Sequence, residues 1–202
     1  MNRKDLEFYG IYAEKLIECE SFLYKEIQGM LDSVSTDPET ALAEHVKTRI
    51  KDAESLKDKL RRNGLPETAK AGLENLSDIV GARVITHFVG DIYTVLDMIK
   101  SCDKWQVLLT KDYIASPKPN GYRSLHTILR VPFFCGELTR IDIEIQLRTI
   151  AQDCWASLEH QLKYKKEIPS TKLIVEELKR CADEMASTDL SMQTIRDLIQ
   201  NT

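Results

Sequence analysis

Residues 140–148 read RIDIEIQLR, in which polar and apolar residues alternate without a break. Successive side chains of a β-strand point to opposite faces of the sheet. One face is therefore apolar, and the other carries Arg140, Asp142, Glu144, Gln146 and Arg148. Carboxylates beside guanidinium groups are side chains that bind metal ions and phosphates. An ordinary sheet with one solvated face explains the same pattern.

A turn-rich loop precedes this strand and leads into a second alternating segment at residues 124–134. Its prolines and Gly121 favour an irregular backbone. Lys118 and Arg123 offer charge to phosphates, and Tyr122 offers a flat face on which a base can stack. If the two segments form a hairpin, His126 shares the polar face with Glu144. A hairpin anchored by a tyrosine, without any ligand, fits the composition as well.

A further carboxylate, Asp78, lies at the entrance of a β-branched run at residues 84–88, which we predict to be a strand. The run would bring Asp78 towards the polar face of the hairpin. Carboxylates that converge near basic side chains are how a protein holds Mg²⁺ against phosphates. The sequence therefore predicts a magnesium and phosphate site on this face.

The most basic segment is residues 47–63, and its end, Asn63-Gly64, is typical of a helix C-terminus. We predict a helix over residues 52–62. Lys51, Ser55 and Lys59 are four residues apart and would form one row along a helical face. This row is suited to a polyphosphate, but a solvated helix face explains it equally well.

The other predicted elements alternate between helices and strands. A capping residue at Thr36, followed by Pro38 and Glu39, predicts a short helix over residues 36–45. In the helix after the hairpin, Trp155 and Leu158 should face the core. Helices are expected at residues 3–32, 36–45, 52–62, 91–101, 149–163 and from 172 onward; strands are expected at 84–88, 106–109, 124–134 and 138–147.

This order predicts an α/β or α+β fold, a mixed β-sheet of about five strands with helices at both termini. With 202 residues, the chain is long enough for one sizeable core. We expect one domain made of N-terminal helices (1–46), a catalytic core (47–166) and C-terminal helices (167–202).

The composition excludes several classes of protein. The net charge of −4 excludes a general nucleic-acid coat, so anion binding has to come from a local patch. The five cysteines are widely spaced and contain no CxxC pair, which argues against a disulfide framework or a zinc site. The sequence contains no apolar segment of membrane-spanning length and no targeting segment, so we expect no membrane association and a cytoplasmic location.

Several of these segments, in the same order, resemble the synthetase domain of RelA/SpoT-type alarmone synthetases. The segment KPNGYRSLH at 118–126 is the most specific. The others are TRIK at 48–51 with Ser55 and Lys59, DIVGAR at 78–83, EIQLRT at 144–149 and WASLEH at 155–160. The resemblance covers residues 48–165 and implies a nucleotidyltransferase-like fold. It identifies the chain as a small, single-domain synthetase of that family.

The resemblance implies transfer of the terminal pyrophosphate of ATP to the ribose 3′-hydroxyl of GDP or GTP, with release of AMP, in stringent-response signalling. It implies that Asp78 and Glu144 bind Mg²⁺ and that Glu144 activates the 3′-hydroxyl. The implied ATP-binding residues are Arg49 and Arg83 at the adenine and Lys51, Ser55 and Lys59 at the phosphates. The implied guanine-nucleotide residues are Tyr122, which stacks on the base, with Lys118, Asn120, His126 and Gln146.

Longer members of the family carry a hydrolase domain that needs a His-Asp pair. None of the four histidines here is followed by aspartate, and the chain is short, so we expect synthesis without hydrolysis. Two other functions remain open. One is a module that binds nucleotide or single-stranded RNA without turnover. The other is a nucleotidyltransferase that modifies RNA ends, although the net charge of −4 disfavours a large RNA substrate.

The helices at both termini carry apolar stripes that lie outside the predicted catalytic core. A closed symmetric assembly would bury such stripes helix against helix. We therefore expect self-association, and the family resemblance implies a homotetramer.

Overall fold

The computed structural model describes residues 1–37, 40–164 and 171–201. It contains a mixed five-stranded sheet with the strand order β1-β2-β5-β4-β3, which confirms the predicted sheet and the α+β class. The strands are β1 (Ala43–Ile50), β2 (Val80–Thr86), β3 (Gln106–Asp112), β4 (Leu125–Cys135) and β5 (Leu138–Thr149).

The central strand is β5, which runs parallel to β2 and antiparallel to β4. Its apolar residues Ile141, Ile143, Ile145 and Leu147 are at most 3% exposed. Glu144 lies beside Gly81 of β2 on one side and Ile128 of β4 on the other. The alternation predicted for residues 140–147 is therefore confirmed, and it directs Glu144 away from the core.

Seven α-helices pack around this sheet in the described part of the chain. The predicted helix over residues 3–32 is interrupted at Gly10, where φ is +51° and a 3₁₀ turn follows. Glycine adopts this left-handed conformation at little cost. The helices are α1 (Arg3–Tyr9), α2 (Ala13–Val34), α3 (Ala53–Arg62), α4 (Ala69–Asn75), α5 (Val89–Ser101), α6 (Ile150–Tyr164) and α7 (Thr171–Gln200).

The predicted helix over residues 36–45 is wrong. The described residues of that range are not helical, and strand β1 begins at Ala43; Pro38 and Glu39 lie outside the described residues. The capping pattern is local, whereas β1 forms by pairing with β2, where Val46 lies opposite Val84. This long-range pairing outweighs the local signal and supplies the strand that the sequence did not locate.

The N-terminal helices α1 and α2 and the C-terminal helix α7 differ in how far their apolar stripes are buried. In the N-terminal helices, Tyr9, Leu16, Leu23 and Ile27 are at most 1% exposed and belong to the core. The core therefore covers this stripe, while Ile11 and Ile17 of the N-terminal segment remain exposed at 72% and 45%. In α7, by contrast, large apolar side chains remain exposed, among them Leu190 at 66%.

The inward side of α6 follows Gln152, Trp155 and Glu159, all of which are buried. Trp155 faces the core as predicted, but Leu158 is 51% exposed because it lies outside this line. Within the described residues, the structure has no helix with the length and hydropathy needed to cross a membrane.

Candidate functional site

A cleft of about 220 Å³ opens on the polar face of the sheet where β1, β2 and β5 meet. Its walls combine positive side chains from β1 and β2 with two carboxylates. One is Glu144 of β5, and the other is Asp78, two residues before β2. It is lined by Lys47, Thr48, Arg49, Asp78, Gly81, Ala82, Arg83, Glu144 and Gln146. The cleft thus joins Asp78 and Glu144, as the sequence predicted.

Asp78, on one side of the cleft, is the centre of an ion-pair cluster. Its carboxylate accepts from Lys51 Nζ at 3.0 Å and lies 2.8 Å from Lys59 Nζ. Burial raises the pKa of Asp78, but the hydrogen bond and charge of Lys59, together with Lys51, outweigh burial and leave the pKa below its ordinary value. Asp78 is therefore ionised at neutral pH.

The helical row predicted for Lys51, Ser55 and Lys59 is only partly correct. Helix α3 begins at Ala53 with Asp52 as its N-cap, so Lys51 precedes the helix. Lys51 and Lys59 nevertheless meet at Asp78. Ser55 is exposed in the first turn, where its backbone N–H donates to Asp52 Oδ1 at 2.9 Å, and it is not part of the cleft wall.

The two predicted adenine-binding arginines lie on adjacent strands. Arg49 of β1 is opposite Gly81, two residues from Arg83 on β2, and both arginines line the cleft. Arg83 Nη1 donates to Asp153 Oδ1 at 3.0 Å. Burial and the charge of Arg148 lower the pKa of Arg83, while Asp153 opposes them.

Five side chains, of which Glu144 and Gln146 line the cleft, form a closed ring of hydrogen bonds. Gln146 Nε2 donates to Glu144 Oε2 at 2.7 Å, and Arg148 Nη2 donates to Gln146 Oε1 at 2.9 Å. The same Nη2 atom donates to the Tyr122 hydroxyl at 2.7 Å. That hydroxyl lies 2.8 Å from His126 Nε2, and His126 Nδ1 lies 3.2 Å from Glu144 Oε1. We call these residues the acceptor ring.

The acceptor ring fixes the protonation and orientation of Glu144. Burial and the charge of Asp78 raise its pKa, but the hydrogen bonds from His126 and Gln146 and the His126 charge outweigh them, so the pKa lies below its ordinary value. Both carboxylate oxygens are occupied by neighbours that hold them in place. Glu144 is therefore a fixed, ionised carboxylate.

The loop at residues 118–123 places Tyr122 in this ring. Lys118 Nζ lies 4.8 Å from the centre of the Tyr122 ring, within cation–π distance. Gly121 has φ +89°, and a Cβ at that position would lie 2.6 Å from Ala182 Cβ of α7. Only glycine fits this close approach.

Two loop residues make contacts that the sequence did not predict. The Asn120 side chain accepts from the Tyr122 backbone N–H at 3.2 Å and donates to Glu159 Oε1 at 3.1 Å, so it shapes the loop. Arg123, expected to offer charge to phosphates, instead donates to Asp183 Oδ1 of α7 at 2.9 Å. Asp183 of α7 thus neutralises the positive charge of Arg123, which the loop sequence alone had suggested was available to phosphates.

Asp142 shares the face of Glu144, as predicted, but it does not line the cleft. Arg130 donates to both of its oxygens, at 2.7 and 2.9 Å. Sequence reasoning also missed two residues. Strand alternation had placed Arg148 on the polar face without a role, whereas no signal in the sequence pointed to Asp153.

The two ionised carboxylates suit a hard cation. The described residues contain no group of three or more His, Cys, Asp or Glu side chains arranged to hold a metal. Mg²⁺, however, keeps several waters and binds through one or two carboxylates together with substrate phosphates. Asp78 and Glu144 in a cleft with lysines and arginines fit that donor set.

Comparison with known proteins agrees with this geometry. The family described as a region found in RelA/SpoT proteins matches residues 48–169. The chain is 42% identical to the GTP pyrophosphokinase YwaC of Bacillus subtilis over 76% of this chain and 73% of that protein. It is 34% identical to the GTP pyrophosphokinase YjbM of the same species, over 78% and 74%.

Solved structures resemble the whole fold. The small alarmone synthetase 1 from Bacillus subtilis, bound to its product pppGpp, superposes with a TM-score of 0.84 at 29% identity, covering 97% of this chain and all of that chain. The small alarmone synthetase 2 of that species gives a TM-score of 0.74 at 36% identity, covering 92% and 98%. The family match covers more than half of the sequence and includes every strand-borne residue of the cleft except Lys47. The chain therefore belongs to the RelA/SpoT family.

Proposed function

We propose that this protein is an ATP:GTP/GDP 3′-pyrophosphotransferase, a small synthetase that makes (p)ppGpp from ATP and GDP or GTP and releases AMP. Its relatives are named GTP pyrophosphokinases and small alarmone synthetases. The observation that carries the proposal is the cleft itself. Two ionised carboxylates line the cleft together with positive side chains, and hydrogen bonds connect Glu144 through His126 to Tyr122.

The positive wall would bind ATP. Arg49 and Arg83 would hold the adenine, because a planar guanidinium stacks on aromatic rings. Lys51 and Lys59 would bind the phosphates with Ser55, although Ser55 is exposed outside the cleft wall. Because both lysines contact Asp78, phosphates would compete with that carboxylate for them.

Asp78 and Glu144 would hold Mg²⁺. When bound, the ion neutralises charge on the phosphates and polarises the phosphorus under attack. In phosphoryl transfer most of the catalysis comes from positioning and electrostatics. Lysines and carboxylates fixed around one cleft suit that requirement.

Glu144 would accept the proton of the ribose 3′-hydroxyl. Its low pKa makes it a weak base, but it also keeps the carboxylate ionised. His126 and Gln146 fix the two oxygens, so the accepting lone pairs have a defined direction. Tyr122 would stack on guanine, with Lys118, Asn120, His126 and Gln146 around the acceptor nucleotide.

A single assay tests the function against its alternatives. The protein is incubated with Mg²⁺, ATP labelled in its terminal phosphates, and GDP, GTP or tRNA in separate reactions. We expect labelled (p)ppGpp and stoichiometric AMP with GDP or GTP, and loss of both products with EDTA. Label on tRNA would support an RNA-modifying transferase, and binding without product would support a module without turnover.

The same proposal includes several properties of the whole chain. Residues 1–202 would act as one synthetase unit in the cytoplasm, where its substrates are found, and the enzyme would not hydrolyse (p)ppGpp. The exposed apolar side chains of α7 support a homotetramer, and light scattering at micromolar concentration would measure its mass. Single-stranded RNA as a further ligand is tested by adding an oligonucleotide to the transfer assay.

A further inference from the structure

Asp153 is a half-buried carboxylate in the first turn of α6, the helix that directly follows β5. One of its oxygens, Oδ1, accepts from Arg83 Nη1 at 3.0 Å and from Arg148 Nη1 at 2.9 Å. A single atom thus joins Arg83, which lines the cleft, to Arg148, which belongs to the acceptor ring.

The two arginines differ in their surroundings. The Arg83 side chain is 33% exposed and lines the cleft on the ATP side. Arg148 is 5% exposed and belongs to the acceptor ring, where it donates to Tyr122 and Gln146. The contact through Asp153 is a continuous hydrogen-bonded path from the wall that would bind adenine to the ring that would bind guanine.

Asp153 is also the counter-charge that allows these arginines to lie together. Two neighbouring guanidinium groups repel each other, and a carboxylate between them offsets that repulsion. The Arg83 Nε atom is buried and has no acceptor among the described residues, so its position depends strongly on the Nη1 contact. Loss of the Asp153 charge would therefore free Arg83 and remove its link to Arg148, which would remain bonded to Tyr122 and Gln146.

We infer that Asp153 is a positioning residue that couples the binding of the two nucleotides. A nucleotide on either wall would order its arginine and the shared carboxylate, and the second nucleotide would then bind a site that is already ordered. Such coupling is reciprocal, so each nucleotide raises the affinity for the other by the same factor. This inference rests on the proposed function, because it takes ATP and a guanine nucleotide as the two ligands.

Calorimetry with a non-hydrolysable ATP analogue, with and without saturating GDP, measures the coupling directly. In the wild-type protein we expect GDP to tighten binding of the analogue at least about fivefold, the lower end of typical coupling factors. In Asp153→Asn the factor should fall to about one, and the reciprocal titration should give the same result. In kinetics, the KM for ATP should then no longer depend on the GDP concentration.

The matched control is Asp142→Asn, which removes a carboxylate from an arginine pair on the same sheet but outside the cleft. It should retain the wild-type coupling factor. Arg148→Lys provides a second test of the coupling if circular dichroism shows that Asp153→Asn is not folded. Lysine keeps the charge but cannot donate from two separate nitrogens to Asp153 and Tyr122, so coupling should be lost there too.

A wild-type factor of one overturns the inference, as does an unchanged factor in a folded Asp153→Asn or Arg148→Lys protein. Failure of the proposed function has a different signature. In that case the wild-type protein does not bind GDP or does not form (p)ppGpp, whereas failure of the coupling alone leaves both intact.

Discussion

The acceptor side and the ATP side of the candidate site are built in different ways. On the acceptor side, five side chains satisfy one another in a closed ring, and Glu144 has both oxygens fixed. On the ATP side, two lysines surround Asp78, and Arg49 is exposed to solvent. The comparison indicates that the acceptor side is preorganised, while the ATP side has to exchange protein ion pairs for contacts with phosphates.

Activity should be more sensitive to substitutions on the preorganised acceptor side than to substitutions on the ATP side. We predict that Glu144→Gln lowers the transfer rate by about 100–10,000-fold, the usual contribution of a positioned general base. The protein should still fold, because glutamine can retain a hydrogen bond from Gln146. Rates are measured as AMP release under saturating substrates, with Asp142→Asn as the control. Near-normal turnover in the folded variant would rule out Glu144 as the base.

The ATP wall is tested by Asp78→Asn. We expect a loss of activity of about 10–100-fold or more. Substituting residues that only hydrogen-bond to a metal ligand already has effects of that size. Raising the Mg²⁺ concentration should recover part of the activity, because the amide weakens the ion's site without closing the cleft. Asp58→Asn, an exposed carboxylate on α3, is the control. A loss that is independent of Mg²⁺ would contradict a metal role for Asp78.

Tyr122 separates stacking from hydrogen bonding within the ring. Tyr122→Ala should weaken GDP binding by about 1–3 kcal/mol, the usual value of one base–aromatic stack. Tyr122→Phe keeps the ring and loses only the contacts to His126 and Arg148, so its effect should be smaller. Calorimetry with GDP measures both, and the exposed Tyr24→Ala is the control. Equal losses for Phe and Ala would mean that the hydroxyl, not the ring, carries the interaction.

The smallest expected effect is on stability at acidic pH. The folded-state pKa values of Asp78 and Glu144 are both lowered, so each contributes stability that is present above its unfolded pKa, near 4. That contribution is lost as the pH falls from about 5 through the folded pKa values. We predict that the Tm of the wild type drops more between pH 6 and pH 3.5 than that of Asp78→Asn/Glu144→Gln. Identical pH dependence would show that the two carboxylates are not stabilised in the folded protein.

Sequence reasoning succeeded where the signal is local and periodic. The alternation in residues 140–147 gave the two faces of β5, and the Asn63-Gly64 pair gave the end of α3. Motif resemblance then brought Asp78, Glu144 and Tyr122 into one proposed site. The prediction of secondary structure failed at β1. This strand forms by pairing with β2, and a helix-capping pattern precedes it in the sequence.

The sequence by itself determined which residue types face away from the core and which family the chain resembles, since both depend on order and spacing along the chain. Only the tertiary structure decided which of those charges are available. Arg123 is neutralised by Asp183 of α7, and Asp142 is neutralised by Arg130. Asp153, which had no signal in the sequence, joins Arg83 to Arg148. It is 70 residues from Arg83 and 5 residues from Arg148 in the sequence. Charge pairing depends on distances in space, and residues far apart in sequence meet only after the sheet and α6 have packed together.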